Sequence, residues 1–324
     1  MIARMKFGVR RSIRGFLGLV KYGGLIGVHG SASVSIEGTF EFGKGVSIAR
    51  QSVIRVPRDS ALLLGDGVSI GREAEVSPEG EIVIGDFTSV QDRCIFLGQL
   101  SIGAHCLFAP NVMMSSGTHH FSERPAWLIR DQDALLKDPG YQPAGGRHLP
   151  IRVEDDCWIG INSVIMRGVT IGRGSIVGAN SVVTQSIAPY SVVAGSPAQL
   201  IRRRLEFRPP RSISASNPDH LPYFYAGFDL RQRSIAASPG GLRTKGRFRV
   251  ALDFAGAESI CIELEADRQT ILKCGDQELA LSAGAQRASL KVNSAPQDGL
   301  ISLATSDTAG RPVALTVRRI SVEP

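Results

Sequence analysis

Two adjacent histidines, His119 and His120, follow the run Phe108-Ala-Pro-Asn-Val-Met-Met-Ser-Ser-Gly-Thr. An imidazole titrates near neutral pH, so at an exposed edge it can take a proton from a substrate hydroxyl. A loop histidine making a structural hydrogen bond fits the same position, and residue type alone leaves the two readings level. A second chemical feature is the run Arg202-Arg203-Arg204. Three guanidinium groups suit a phosphate-rich ligand, and equally a solvated basic helix closing the domain. The five cysteines are odd in number and contain no C-x-x-C pair. That argues against a disulfide framework or a zinc ribbon and fits a reducing compartment.

The elements that must position these groups are bounded by composition. A chain of 324 residues suggests about two domains. With 43% hydrophobic and 21% charged residues it is globular. The 36 glycines and 6% aromatics disfavour a large helical bundle and favour many tight corners. The net charge of +7 is concentrated in two places. Residues 1–36 carry +6 with no acid, and residues 202–211 carry +4, which leaves −3 for the remainder. Two local basic segments are not a nucleic-acid surface, and no nucleic-acid partner is expected.

Residues 1–22 place Ile2, Met5, Val9, Ile13, Phe16, Leu17 and Val20 at helical spacing, with arginines on the other face. The pattern predicts a basic amphipathic helix, either lying on an anionic membrane surface or packed on its own domain. The apolar stretch 16–28 is too short to span a bilayer and is interrupted by Lys21. It has no clear small-residue cleavage site, so a cleaved secretory signal is not expected.

An internal period decides the fold. Large apolar residues recur every six positions at Ile84, Val90, Phe96, Ile102, Phe108 and Met114, and again at Val153, Ile159, Ile165, Ile171, Val177 and Val183. Weaker beats fall at Leu64, Ile70 and Val76. Small residues sit near the corners, among them Cys94, Cys106 and Cys157, which therefore read as apolar fillers of the stack. A six-residue period is neither helical nor simple alternation. It fits a short strand and a corner, three strands to a coil, in about five coils of a parallel β-helix. Between Met114 and Val153 the beat stops for more than thirty residues. A long insert in a rigid solenoid is expected to be functional, and the histidines stand at its root.

Residues 60–204 resemble the hexapeptide-repeat acyltransferases, most of all the maltose, galactoside, O-antigen and exopolysaccharide acetyltransferases. The resemblance is carried by Ala109-Pro-Asn-Val, Cys157-Trp-Ile-Gly, Ile165-Met-Arg-Gly-Val-Thr-Ile-Gly, Val177-Gly-Ala-Asn-Ser-Val-Val-Thr and Ala194-Gly-Ser-Pro-Ala. It implies a left-handed coil, a homotrimer with sites between adjacent solenoids, and acetyl transfer from acetyl-CoA to a hydroxyl. No metal is implied. The three-histidine metal site of the carbonic anhydrases on this fold is not matched, because His105, His119 and His120 lack its spacing and Leu97 takes the place of its first ligand.

By the same resemblance His119 is the general base, with His120 as runner-up. The backbone N–H of Ile161 would meet the oxyanion. Trp158, Ala179, Thr184 and Arg202 would hold the acetyl-CoA, and Asn111, His120 and Trp127 would face the acceptor, although Trp127 equally reads as loop core. Gln185 and Gln199 stand where many relatives carry lysine and arginine, with Arg203 or Arg204 as substitutes. Ser89 and Leu97 replace acceptor-binding Asn and Asp, so the acceptor should differ from maltose or galactoside. The expected acceptor is a sugar hydroxyl of a surface polysaccharide or its lipid-linked precursor. The expected location is cytoplasmic, with peripheral contact to the membrane through the basic N-terminus. The alternatives are a non-catalytic scaffold and an acetyltransferase for a non-sugar acceptor.

Beyond the repeat, residues 205–242 are rich in Pro, Arg and Ser and read as a linker. Residues 243–324 predict seven short strands and an antiparallel β-sandwich. Their aromatics are Phe248 and Phe254 alone, which favours an assembly role over carbohydrate binding. The expected organisation is a basic helical segment 1–33, a β-helix 34–204 with insert 115–152, the linker, and the sandwich.

Overall fold

In the computed structural model the six-residue beat becomes three stacked columns. The structure describes residues 3–6, 26–135, 148–229, 241–255, 257–292 and 300–323. The first column runs Ile48, Ile70, Val90, Phe108, Ile159, Val177, Val193, each residue in parallel register with the next. The second runs Ile54, Val76, Phe96, Met114, Ile165, Val183. The third runs Phe42, Leu64, Ile84, Ile102, Val153, Ile171. All of these side chains are buried in one continuous core. The result is a parallel β-solenoid with three sides and, among the described residues, seven coils.

The solenoid begins earlier than the sequence suggests. Ile26–Val28 and Ser33–Ile36 already belong to the first coil. The early coils are longer: Ile48 to Ile70 is a step of 22, Ile70 to Val90 of 20, and Val90 to Phe108 of 18. The extra residues lie between the second and third columns, at the turn 57–60 and then within the strand Glu75–Ile84, which blurs the six-residue beat but leaves the stacking intact. Residues 3–6 are not the first turn of a helix. Ala3–Lys6 is a strand running antiparallel to Thr39–Phe42, where it satisfies backbone groups at the edge of the first coil. The remainder of the predicted helix over 1–22 lies outside the described residues.

Corners require a left-handed backbone, and the chain supplies it. Arg93, Asn111, Asn162 and Asn180 have φ of 57°, 62°, 58° and 56°, a region that asparagine tolerates well. They stack along one corner as a ladder. Arg93 Nε donates to Asn111 Oδ1 at 2.9 Å, Asn111 Nδ2 to Asn162 Oδ1 at 2.9 Å, and Asn162 Nδ2 to Asn180 Oδ1 at 3.1 Å. At the C-terminal end the chain reverses: Ala198–Arg203 is a strand antiparallel to Ser191–Gly195. The basic run is therefore a strand and not a helix.

The chain divides into two units, Met1–Glu206 and Phe207–Pro324. The second is antiparallel, and the predicted strands appear with shifted ends. Its long strand Leu242–Ala251 serves two layers: Leu242 and Arg243 pair with Leu315–Glu323, while Arg247–Ala251 pair with Leu300–Ser306. Gly246 lies between them at φ 94°. Through this shared strand the pairings of the described residues join into one antiparallel, barrel-like sheet of nine strands rather than two separate sheets. Much of the predicted linker belongs to this unit. Ser212–Ser214 and Ala226–Phe228 are strands of it, and Ile213, Ala215, Phe224 and Phe228 are buried in its core. Apolar side chains among the Pro, Arg and Ser gave those residues a core to join. Among the described residues no helix is long and apolar enough to cross a membrane.

Candidate active site

The insert opens between Met113–Ser115 and Ile151–Val153. Its two ends are joined at the root: Gly117 bridges His148, and Leu149 N–H donates to Ser116 O at 3.0 Å. Gly98 permits this closure. A Cβ at Gly98 would come within 2.2 Å of Ser116 Oγ, and its φ is 88°. That hydroxyl accepts the Gln99 N–H at 2.7 Å and lies 3.1 Å from His148 Nδ1.

Above the root lies a cleft of about 560 Å³, lined by Met113, Ser115, His119, His148, Met166 and Arg167 among others. Its floor is the outward side of the Met113 and Val164 strands, which pair in register. Its wall is the insert, which carries the helix α1, Ile129–Leu135.

His119 Nδ1 lies 2.5 Å from Asp133 Oδ2, and Asp133 Oδ1 accepts the His120 N–H at 2.6 Å. The His120 N–H and then His119 hold the Asp133 carboxyl below the usual carboxylate range. An ionised carboxylate on Nδ1 fixes the tautomer and leaves Nε2 to accept a proton. The ring is 83% exposed, so Nε2 is accessible. His148 shares the cleft but is differently placed. It is 16% exposed, with Nε2 3.1 Å from Glu79 Oε2 and Nδ1 on Ser116. Both of its nitrogens are engaged, which is a structural tie. His120 Nε2 lies 3.3 Å from Glu123 Oε2. Asp133 and His148 carried no sequence signal, because each meets its partner through the folded insert and neither shares a period or motif with it.

The remaining expected residues are spread out. Asn111 spends its amide on the corner ladder and does not line the cleft. Trp127 is exposed, not loop core, with the Arg124 guanidinium 4.3 Å over its ring. Trp158 is 52% exposed on Trp158–Ile159, the second strand after the insert. Ile161 is at the next corner, where its carbonyl accepts the Asn180 N–H at 2.8 Å. Ala179 lies against Gly160 so closely that a Cβ there would meet Ala179 N at 2.6 Å. Thr184 is exposed, one residue beyond Val183, which pairs with Ile165. Neither Ile161 nor Trp158 lines the cleft.

Arg202 is exposed on the closing strand, where it pairs with Val192. Arg203 instead lines a recess of about 240 Å³ together with Gln185 and Gln199, and donates to Ser191 Oγ at 3.2 Å. Arg204 is tied to Gly174 O at 2.5 Å and lies 3.6 Å from Asp156. Cys94, Cys106 and Cys157 are buried in the solenoid core. Burial pushes the Cys94 thiol up to about 11 and the Cys157 thiol well above its ordinary value. Among the described residues no group of three or more His, Cys, Asp or Glu could hold a metal.

The solenoid unit is similar to the hexapeptide-repeat acyltransferases. Residues 150–185 match the family model described as the hexapeptide repeat of succinyl-transferase. The chain is 40% identical over 119 residues to a chloramphenicol acetyltransferase of Agrobacterium fabrum, covering 36% of this chain and 54% of that one. It is 28% identical over 145 residues to a protein of Escherichia coli named as the colanic acid biosynthesis acetyltransferase WcaF, covering 44% and 70%. A solved maltose O-acetyltransferase of Clostridium difficile shares 27% identity over 42% of this chain and 70% of that one, with a TM-score of 0.29. The chain spans about half the length of the first curated relatives it matches.

Proposed function

We propose that the protein is an acetyl-CoA-dependent O-acetyltransferase whose acceptor is a sugar hydroxyl. The observation that carries this reading is the His119–Asp133 pair at the edge of the cleft. His119 Nε2 takes the proton as the hydroxyl oxygen attacks the thioester carbonyl. The C–S bond breaks, the acetyl ester forms, and the proton passes from His119 to the departing thiolate. No covalent enzyme intermediate is required when both substrates are held together. The names of relatives acting in colanic acid biosynthesis and on maltose support a sugar acceptor.

Exposed Trp158, Ala179 and Thr184 leave room for a long donor to lie along the outside of the later coils. Of the three arginines, Arg203 is the better placed for its phosphates, because it shares a recess with Gln185 and Gln199. The Ile161 N–H remains the proposed oxyanion donor, supplied to the cleft by a second copy of the chain. A trimer is supported by the exposed apolar side chains of the insert and middle coils, Leu107, Met113, Phe121, Leu128, Ile129 and Trp158. Peripheral contact with a cytoplasmic membrane rests on the basic composition of residues 1–36.

The test is release of CoA thiol from acetyl-CoA with and without a panel of sugars. His119→Ala should lower acceptor-dependent release by about 10²–10⁴-fold while calorimetry still detects acetyl-CoA binding. Undiminished release would remove His119 from the reaction. A non-sugar hydroxyl acceptor is a second reading, favoured by the 40% identity to a chloramphenicol acetyltransferase. Chloramphenicol therefore belongs in the panel.

A further inference from the structure

Among the described residues the cleft holds one strong cation that the reaction above does not use. Arg167 lines it beside His119 and His148, and its Nη1 is buried with no hydrogen-bond partner among the described residues. Among the described residues the acid that lines the cleft, Glu79, is engaged with His148 Nε2 at 3.1 Å, and Asp133, behind His119, with His119 and the His120 N–H. The guanidinium is carried by a fixed corner. Met166 N–H donates to Val183 O at 2.9 Å and Gly168 N–H to Leu149 O at 2.9 Å, so the backbone on both sides of Arg167 is tied down.

A desolvated guanidinium nitrogen without an acceptor loses its hydration and gains nothing in return. A substrate oxyanion would supply the missing acceptor, and the planar fork of arginine matches a carboxylate or phosphate with two parallel hydrogen bonds. Resting on the assignment of His119 as base, we propose that the acceptor is an anionic sugar, a uronic acid or a sugar phosphate. Arg167 clasps its charge and so turns a neighbouring hydroxyl toward His119.

The experiment uses the full-length chain with acetyl-CoA and three acceptors: methyl glucoside, glucuronic acid and glucose 6-phosphate. Thiol release gives kcat and KM, and calorimetry gives binding without turnover. The expected result is a preference of tenfold or more for a charged acceptor, lying mainly in KM. Arg167→Met should collapse that charged-to-neutral ratio toward one, and Arg167→Lys should restore part of it. Preference for glucuronic acid assigns a carboxylate, and preference for glucose 6-phosphate a phosphate. Equal use of neutral and charged acceptors by the wild type would overturn the proposal. So would Arg167→Met slowing both alike, or changing the oligomer mass, since the latter would place Arg167 in a subunit contact. If no acceptor stimulates thiol release, the transfer reading has failed. Anion binding by calorimetry, lost in Arg167→Met, then still decides the role of Arg167.

Discussion

At the residue scale, His119 is held by one nitrogen, so the group that holds it should matter in a graded way. Asp133→Asn keeps a hydrogen-bond acceptor but loses the charge that favours the correct tautomer. We expect kcat to fall by about 10–100-fold, less than for His119→Ala, with acetyl-CoA affinity unchanged by calorimetry. Equal loss in the two variants would mean that Asp133 does more than orient the ring. The same carboxylate ties α1 to the root of the insert through the His120 N–H. Its folded-state titration is depressed. Its contribution is therefore present above the ordinary aspartate value of about 3.9 and is lost as pH falls through the depressed one. Hydrogen exchange of residues 116–135 should show the insert loosening in that acid range. In Asp133→Asn that pH dependence should vanish.

At the element scale, the root of the insert depends on an absent side chain. Gly98→Ala would drive a methyl group toward Ser116 Oγ at a left-handed position. We expect a loss of about 1–3 kcal/mol, read as a lowered Tm, together with reduced turnover because Ser116 and His148 shift with the root. Ser116→Gly should recover part of the Tm loss. A Gly98→Ala protein as stable as wild type would show that the root is more pliant than its close contacts imply. The sequence conveyed the elements unequally. Stacked columns repeat a requirement at a fixed step, so Phe96, Phe108 and Ile159 announce themselves. The early coils gave only the weak beats at Leu64, Ile70 and Val76, and a boundary at 34 rather than 26, because their extra residues break the step. Within the insert each contact is singular. His119 was legible through a motif, whereas Asp133, His148 and Arg167 were not, because their partners are set by a loop that no repeat constrains. Asn111 misled for a related reason: an asparagine at a corner serves the backbone as readily as a substrate.

At the scale of the molecule, the proposed oxyanion role of Ile161, which lies away from the cleft, and the exposed apolar side chains lead to the prediction of a second chain at each site. Light scattering should give a mass near 104 kDa, three times 34.7 kDa. Mixed oligomers of His119→Ala and Ile161→Pro chains, each inactive alone, should recover measurable thiol release, since a site drawing on two chains can then be assembled intact. No recovery from mixtures shown to exchange subunits would place both groups in one chain. The two ends of the solenoid carry a separate consequence. A stack of parallel coils offers an incoming coil the same hydrogen-bonding pattern at every level, and nothing in a repeat limits its length. Here Ala3–Lys6 at one end and Ala198–Arg203 at the other run against the direction of the stack. On that side of each end, another molecule approaching end-on meets a strand of the wrong polarity and hydrogen-bond spacing. The protein should therefore stay a discrete particle at high concentration, and removing the reversed strand 198–203 should be the change that lets it grow into fibres.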